Sequence, residues 1–396
     1  MIQKEICIGM AGAGRATELH VNALRRLVGV PIRLKTIVAR RSEQLEYAQK
    51  CYGFEYTSSN FEDLLNDSEI DVIDICTPPY LHAEMVEKTM LAGKHVICEK
   101  PLTGYFGKED DDDYPVGLKV SKKMMYLQLL ESIKQLKQVI NKSNRKFMYA
   151  ENFVYAPAIV KAAEIILKKK TKILFAKGEE SLKGSSSPVA GEWSKTGGGT
   201  FIRTGAHPLS AILWLKKQEA KAHGIEIRVK SVMADMGRIT PELSEYEHRH
   251  IAARPLDVED CGTVILNFTD NTRAVVMATD VLLGGSKNYV ELYCNDTAIY
   301  CNLTMSDLMS TYFLDEDNLE NVYISEMLSS KLGWNKLFLE DEIIRGYTAE
   351  MLDFMESIYY DREPKSGFDL AFDTIRIIYA AYMSAEIGSK VELDSI

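Results

Sequence analysis

The sequence lacks what would set it apart from ordinary globular proteins. No stretch of its 396 residues approaches the ~18 unbroken apolar residues of a membrane-spanning helix. Positive charge is in deficit: 47 Lys and Arg face 57 Asp and Glu, for a net charge of -10. Such a surface repels phosphate backbones and anionic membranes, which argues against nucleic-acid and membrane partners. Cysteine is sparse and unpatterned. Cys7, Cys51, Cys76, Cys98, Cys261, Cys294 and Cys301 are odd in number and contain no C-x-x-C pair. Several lie in apolar runs, so they read as buried, reduced thiols and point to the cytoplasm. The opening MIQKEICIGMAG is interrupted too soon for a signal peptide. No internal repeat is visible.

What is present suits a large packed core. The hydrophobic fraction is 46% and the charged fraction 26%. With domains of roughly 100–200 residues, two are expected. Residues 1–152 alternate strand and helix signals: strands at 5–9, 33–39, 71–76, 95–98 and 146–151, and helices at 17–27, 42–52, 60–66, 82–92 and 118–140. That alternation predicts a parallel sheet with helices on both faces. The Gly- and acid-rich segment 103–117, TGYFGKEDDDDYPVG, reads as an exposed insertion. Its acidic run reads as a solvated loop, and no essential metal is expected. Residues 153–396 differ in texture. Runs such as GTVILNF, TRAVVMATDVL and YVELYC suggest a large antiparallel sheet, and the segments 348–360 and 368–387 are helical.

A strand–turn–helix carries the first chemistry. In IGMAGAGRATELH, Gly12 permits a tight turn and Gly14 lets the backbone approach a pyrophosphate, over Ala13, Arg15 and Ala16 at a helix N-terminus. Thr17 stands where a third glycine is usual, which weakens the match. After the second strand, where NAD-specific proteins often place an acid, come Arg40, Arg41 and Ser42. A guanidinium suits a ribose 2′-phosphate, so the cofactor is NAD or NADP with a lean to NADP.

With GAGRATELH, ICTPPYLH, AGKHVICEKPL, YAENFVYAPAI, GGGTFIRTGAHPLSAILWL and DVEDCGTVILNF in order, the chain resembles the glucose–fructose oxidoreductase, inositol dehydrogenase and rhizopine-catabolism family (Gfo/Idh/MocA). The resemblance implies a Rossmann domain followed by an α+β domain with a large, mostly antiparallel sheet. It implies hydride transfer between a nicotinamide and a secondary hydroxyl of a sugar, glycoside or cyclitol, with 3-oxidation of a glucoside as one form. It also implies a homodimer or homotetramer. Lys100, in Glu99-Lys100-Pro101, and His207 take the catalytic positions by this match. A base must accept the carbinol proton, and an ammonium stabilises alkoxide charge. Thr77, Pro78 and His82 match cofactor-side positions, and Glu99 and Tyr155 the cofactor or substrate rim; His20 reads as packing.

The chain also departs from the pattern. Arg203 stands where many members place an aspartate, four residues before the histidine. It would repel a protonated imidazole or bind a substrate group. Pro208 puts His207 at a kink or helix start. Trp193 and Trp334 are candidates to stack on a sugar face. Two rival readings stand beside the dehydrogenase: a glycoside hydrolase that recycles bound NAD, and a dinucleotide-binding sugar sensor without turnover.

Overall fold

A computed structural model describes residues 5–107, 115–185, 187, 189–283, 286–304, 309–322, 331–336 and 345–393. They form two compact units. The first comprises residues 1–104, 129–152 and 346–372; the second comprises 105–128, 153–345 and 373–396. The expectation was one boundary after residue 152. Instead, the chain returns to the first unit near its end. There, helix Tyr347–Tyr359 lays its buried side, with Glu350, Met351 and Phe354, against helix Arg15–Leu24.

The first unit holds a six-stranded parallel sheet: β1 (Ile6–Ala11), β2 (Ile32–Val38), β3 (Tyr56–Ser58), β4 (Val72–Ile75), β5 (His95–Glu99) and β6 (Phe147–Ala150). The order is β3-β2-β1-β4-β5-β6, so chain direction across the sheet reverses between β1 and β4. Ligands bind at such a switch point, at the carboxyl ends of the strands. Every residue of β1, β4 and β6 is buried. Burial on both faces explains why these strands read as continuous apolar runs. Each fully buried Val or Ile adds about 1.5–3 kcal/mol. The three-residue edge strand β3 went unread because it is short and largely exposed.

The second unit is built on a nine-stranded sheet: β7 (Ile173–Ser181), β8 (Val229–Gly237), β9 (Cys261–Phe268), β10 (Arg273–Thr279), β11 (Lys287–Cys294), β12 (Thr297–Asn302), β13 (Met309–Phe313), β14 (Gly333–Lys336) and β15 (Val391–Glu392). Its order is β14-β13-β12-β11-β7-β10-β9-β8-β15, and only β7 and β10 pair in parallel. Alternate residues of β9 and β10 are buried. Helices Pro157–Lys169 and Ala206–His223 pack on each other and on this sheet. No described helix is long and apolar enough to cross a membrane.

The expectation of an exposed loop at 103–117 is corrected for its described part. Thr103, Tyr105 and Val116 are buried, and Val116–Lys119 is a short helix. The Tyr105 amide donates to the Tyr379 hydroxyl at 2.6 Å, and Gly117 N–H to Asp257 at 2.9 Å. Composition hid this because apolar anchors flank the acids. The acidic run itself lies outside the described residues.

Candidate active site

The Gly12–Gly14 turn sits at the carboxyl end of β1. Gly12 has φ +103°, and a Cβ there would lie 2.4 Å from the Cys76 carbonyl oxygen of the adjoining strand end. Only glycine allows that approach. Gly14 is the N-cap of helix Arg15–Leu24, has no capping side chain, and would meet nothing within 4 Å of a Cβ. Unpaired N–H groups and open space together fit a pyrophosphate. Thr17 proves to be a support rather than a missing glycine. It is fully buried, and its hydroxyl donates to the Gly12 carbonyl at 3.0 Å. Arg40 and Arg41 are exposed beyond β2, and Arg41 is the N-cap of helix Ser42–Tyr52.

Two buried histidines hold the Glu99-Lys100-Pro101 turn at the end of β5. The Lys100–Pro101 bond is cis. The Lys100 amide donates to the Glu99 carboxylate at 2.8 Å. His20 Nε2 lies 3.3 Å from the other Glu99 oxygen, while its Nδ1 lies 2.9 Å from Asp74. Burial opposes charge on His20, but Asp74 outweighs it and holds the imidazole pKa well above its usual value. His20 is therefore shifted toward its charged form between two carboxylates, and is more than a packing residue. On the other side, His82 Nδ1 lies 2.7 Å from the Pro101 carbonyl oxygen and Nε2 lies 2.8 Å from that of Thr77. Burial pushes the His82 pKa below the usual value, against the two carbonyl contacts, which raise it. His82 thus ties the Thr77-Pro78 loop to the turn after Lys100.

Glu350, in helix Tyr347–Tyr359, is fully buried, and burial drives its pKa far above the carboxylate range. His20, Glu99, Glu151 and Asp74 surround it electrostatically. Cys76 adjoins Asp74 and His20, and burial raises its thiol to about 12. Ligand atoms of His20, Asp74 and Cys76 lie within 4.8 Å of one another. Hydrogen-bond contacts join the three, from His20 to Asp74 and from the Cys76 thiol to Asp74.

In the second unit, His207 is the second residue of helix Ala206–His223, with Pro208 following in the first turn. A π-helical turn, Phe201–Gly205, precedes it, so Arg203 and His207 share no regular helix face. His207 is nearly buried and stacks on Phe153 at 4.9 Å. Arg203 is paired with Asp280, which also accepts from the Thr200 hydroxyl at 3.1 Å. Burial raises the Asp280 pKa, partly offset by Arg203. Glu259 accepts from the amides of Gly199 and Phe201 and from the Tyr382 hydroxyl, at 2.8–2.9 Å. It thereby holds the glycine-rich stretch that leads to His207.

Tyr155 is buried within a 3₁₀ turn. Trp193, a candidate sugar-stacking ring, is instead 2% exposed. Its Nε1–H donates to the Tyr105 carbonyl at 3.0 Å, and it packs on Tyr379 and Tyr382. Trp334 is exposed and stacks on Tyr300. Lys100 belongs to the first unit, and Tyr155, Trp193, Arg203 and His207 to the second. Sequence reading missed Asp74, Glu259, Asp280 and Glu350. The acids in DVED offered a signal, but Glu350 sits in an unremarkable amphipathic helix.

Comparisons with known proteins agree with this architecture. Residues 6–107 match a family model described as an oxidoreductase family with an NAD-binding Rossmann fold. Residues 175–300 match the GFO/IDH/MocA C-terminal domain, and together the two cover more than half of the chain. The uncharacterized oxidoreductase YrbE of Bacillus subtilis (strain 168) is 37% identical over 100 residues, which are 25% of this chain and 29% of that protein. Levoglucosan dehydrogenase of Pseudarthrobacter phenanthrenivorans is 35% identical over 102 residues, 24% of this chain and 26% of that one. The aligned stretches thus span less than a third of these relatives. The structure of a levoglucosan dehydrogenase in complex with NADH and levoglucosan superimposes with a TM-score of 0.75 at 20% identity, covering 98% of this chain and 100% of that one. At that identity the likeness speaks for the fold.

Proposed function

The chain belongs to the Gfo/Idh/MocA oxidoreductase family, and from that premise we propose that it transfers a hydride between NAD or NADP and a secondary hydroxyl of a sugar, glycoside or cyclitol. The carrying observation is the Glu99-Lys100-Pro101 turn, held by His20 through Glu99 and by His82 through Pro101 at the carboxyl end of the sheet. A lysine placed that firmly suits a fixed electrostatic role.

The pyrophosphate would lie on the Gly12–Gly14 turn, against the amides of Ala13, Gly14, Arg15 and Ala16. The Thr77-Pro78 loop, His82 and Glu99 would border the rest of the dinucleotide. When bound, the nicotinamide supplies the hydride acceptor or donor. His207 would take the hydroxyl proton as the carbinol becomes a ketone and return it in the reverse direction. The Lys100 ammonium would stabilise charge on the oxygen. Tyr155 and Arg203 would support the substrate side, Arg203 through its pair with Asp280.

Arg40, with Arg41, supports a preference for NADP, since an exposed guanidinium there suits a 2′-phosphate. Dissociation constants for the two dinucleotides test this, and tighter NAD binding would sink it. The exposed face of β8, β9 and β10, with Met233, Ile265 and Met277, supports assembly into a homodimer or homotetramer. Seven free cysteines support a reducing, cytoplasmic setting.

The test is a panel of sugars, cyclitols and glycosides, followed by the absorbance of reduced cofactor. Turnover of at least one is expected. No turnover with intact dinucleotide binding would overturn the dehydrogenase reading.

A further inference from the structure

The helix that carries His207 lies on β7 and runs back along it. Gly178 meets the first turn of that helix: a Cβ there would lie 2.8 Å from Pro208 Cβ and 3.1 Å from Ile212 Cδ1. Further along the helix, Lys216 Nζ reaches the carbonyl oxygen of Ile173, at the start of β7, at 3.4 Å. The first turn, with His207, therefore lies toward the carboxyl end of β7. Two residues beyond Gly178 on the same face of the strand, roughly 7 Å along it, comes Glu180.

This face is apolar until it reaches that level. Ala176 and Gly178 stand opposite Leu292 and Val290 of β11, with Val276 of β10 on their other side, and all five are buried. The next pair across β7 and β11 is Glu180 and Asn288. The Asn288 amide donates to the Glu180 carboxylate at 3.4 Å. Asn288 is 7% exposed, and its Oδ1 has no hydrogen-bond partner among the described residues. A buried acceptor left unmatched destabilises the fold, so it calls for a donor from outside the fold.

A carboxylate and an amide oxygen are hydrogen-bond acceptors, and the hydroxyl groups of a sugar are donors that match them. A carboxylate or phosphate on the ligand brings no donor and meets like charge at Glu180. We propose that Glu180 and Asn288 are the specificity-determining pair of the substrate site beside His207, reading hydroxyl groups and selecting neutral sugars or cyclitols over sugar acids and sugar phosphates. This rests on the reading of His207 as the proton acceptor.

The experiment measures kcat and KM for glucose, myo-inositol, glucuronate and glucose 6-phosphate, with NAD and with NADP, in the wild type, Glu180→Gln and Asn288→Leu. The wild type should prefer a neutral substrate to either anion at least tenfold in kcat/KM, and Glu180→Gln should narrow that preference about tenfold. Asn288→Leu should raise KM for the neutral substrate at least tenfold and change kcat less. Its melting temperature should be at or above that of the wild type, because leucine of similar size deletes the unmatched acceptor. A wild-type preference for an anion, or an unchanged KM and preference in both variants, would overturn the proposal. A lower melting temperature in Asn288→Leu with KM unchanged would make the pair a structural brace and overturn it too. If none of the four is turned over, that failure belongs to the dehydrogenase reading, and saturation-transfer NMR with glucose and myo-inositol decides the pair. Binding weakened in both variants supports it. No binding to the wild type, or equal binding to all three proteins, overturns it.

Discussion

Both units bury carboxylates, and they neutralise them by different means. In the first, Asp74 and Glu99 flank His20, whose pKa Asp74 holds up, and burial raises the pKa of Glu350 beside them. In the second, Asp257 accepts the amides of Gly117 and Trp193, Asp260 those of Ile239 and Thr240, and Glu259 those of Gly199 and Phe201. Asp280 faces Arg203. One run of sequence, DVED, thus pins three separate segments through main-chain N–H groups. Backbone amides and arginine keep their character at every accessible pH, whereas histidine does not. The first cluster therefore depends on a titratable cation and the second on donors that do not titrate, which suits one to holding a reactive turn and the other to holding the approach to His207.

The sharpest challenge to the comparison is Lys100→Met. If the first cluster exists to hold this lysine, the change removes chemistry and leaves the fold intact. Turnover should fall about 10²–10⁴-fold, with the melting temperature and dinucleotide dissociation constant near wild type. An unchanged rate would detach the cluster from catalysis. Loss of sugar binding alone would favour the sensor reading.

His20→Asn should come next, because it strands Asp74 and Glu99 without their shared cation. Breaking a buried pair costs about 3–5 kcal/mol, measurable by urea unfolding. The rate should fall as well, since the Glu99 carboxylate that receives the Lys100 amide loses its anchor. A variant as stable as wild type would show that His20 is only packing.

Arg203→Met should make the second cluster more sensitive to pH. Asp280 then has no guanidinium, and burial pushes its carboxyl further above the usual range. A group whose folded pKa is raised binds its proton more tightly in the folded state, so stability falls as pH rises toward that pKa. Urea midpoints across pH 5–8 should fall more steeply with pH than those of wild type, whose Asp280 is raised less. No change in slope would contradict the assignment.

Glu350→Gln should have the smallest effect, again through pH. The raised folded pKa of Glu350 makes stability fall as pH climbs from the ordinary carboxylate range, by at most about 1.4 kcal/mol per pH unit for one proton. The His20 contribution runs the same way: full below the unfolded histidine pKa and lost as pH rises through the folded one. The variant should flatten the Glu350 part and leave that of His20. An identical profile would mean Glu350 is ionised when folded.

Much of the first unit could be read from sequence, because its signals are local. Helix Ser42–Tyr52 begins and ends where the pattern puts it, and in the second unit Pro208 likewise places His207 at a helix start. Thr17 shows the limit. Counted as a missing glycine, it is a buried hydroxyl that ties the turn together. Trp193 shows another: an indole beside glycines suits a sugar, but its exposure depends on Tyr105, Tyr379 and Tyr382, remote in the chain.

The sequence by itself determined the alternating strands and helices, the glycine turn at Gly12 and the order of the family motifs. Those follow from periodic apolar patterning and from backbone sterics that act between near neighbours. Tertiary structure alone decided which charges meet. His20 finds Asp74, Glu99 and Glu350 only because β1, β4, β5 and a helix near the end of the chain pack together. Burial then raises the Glu350 pKa, and Asp74 outweighs burial at His20, because both effects act only on the assembled cluster.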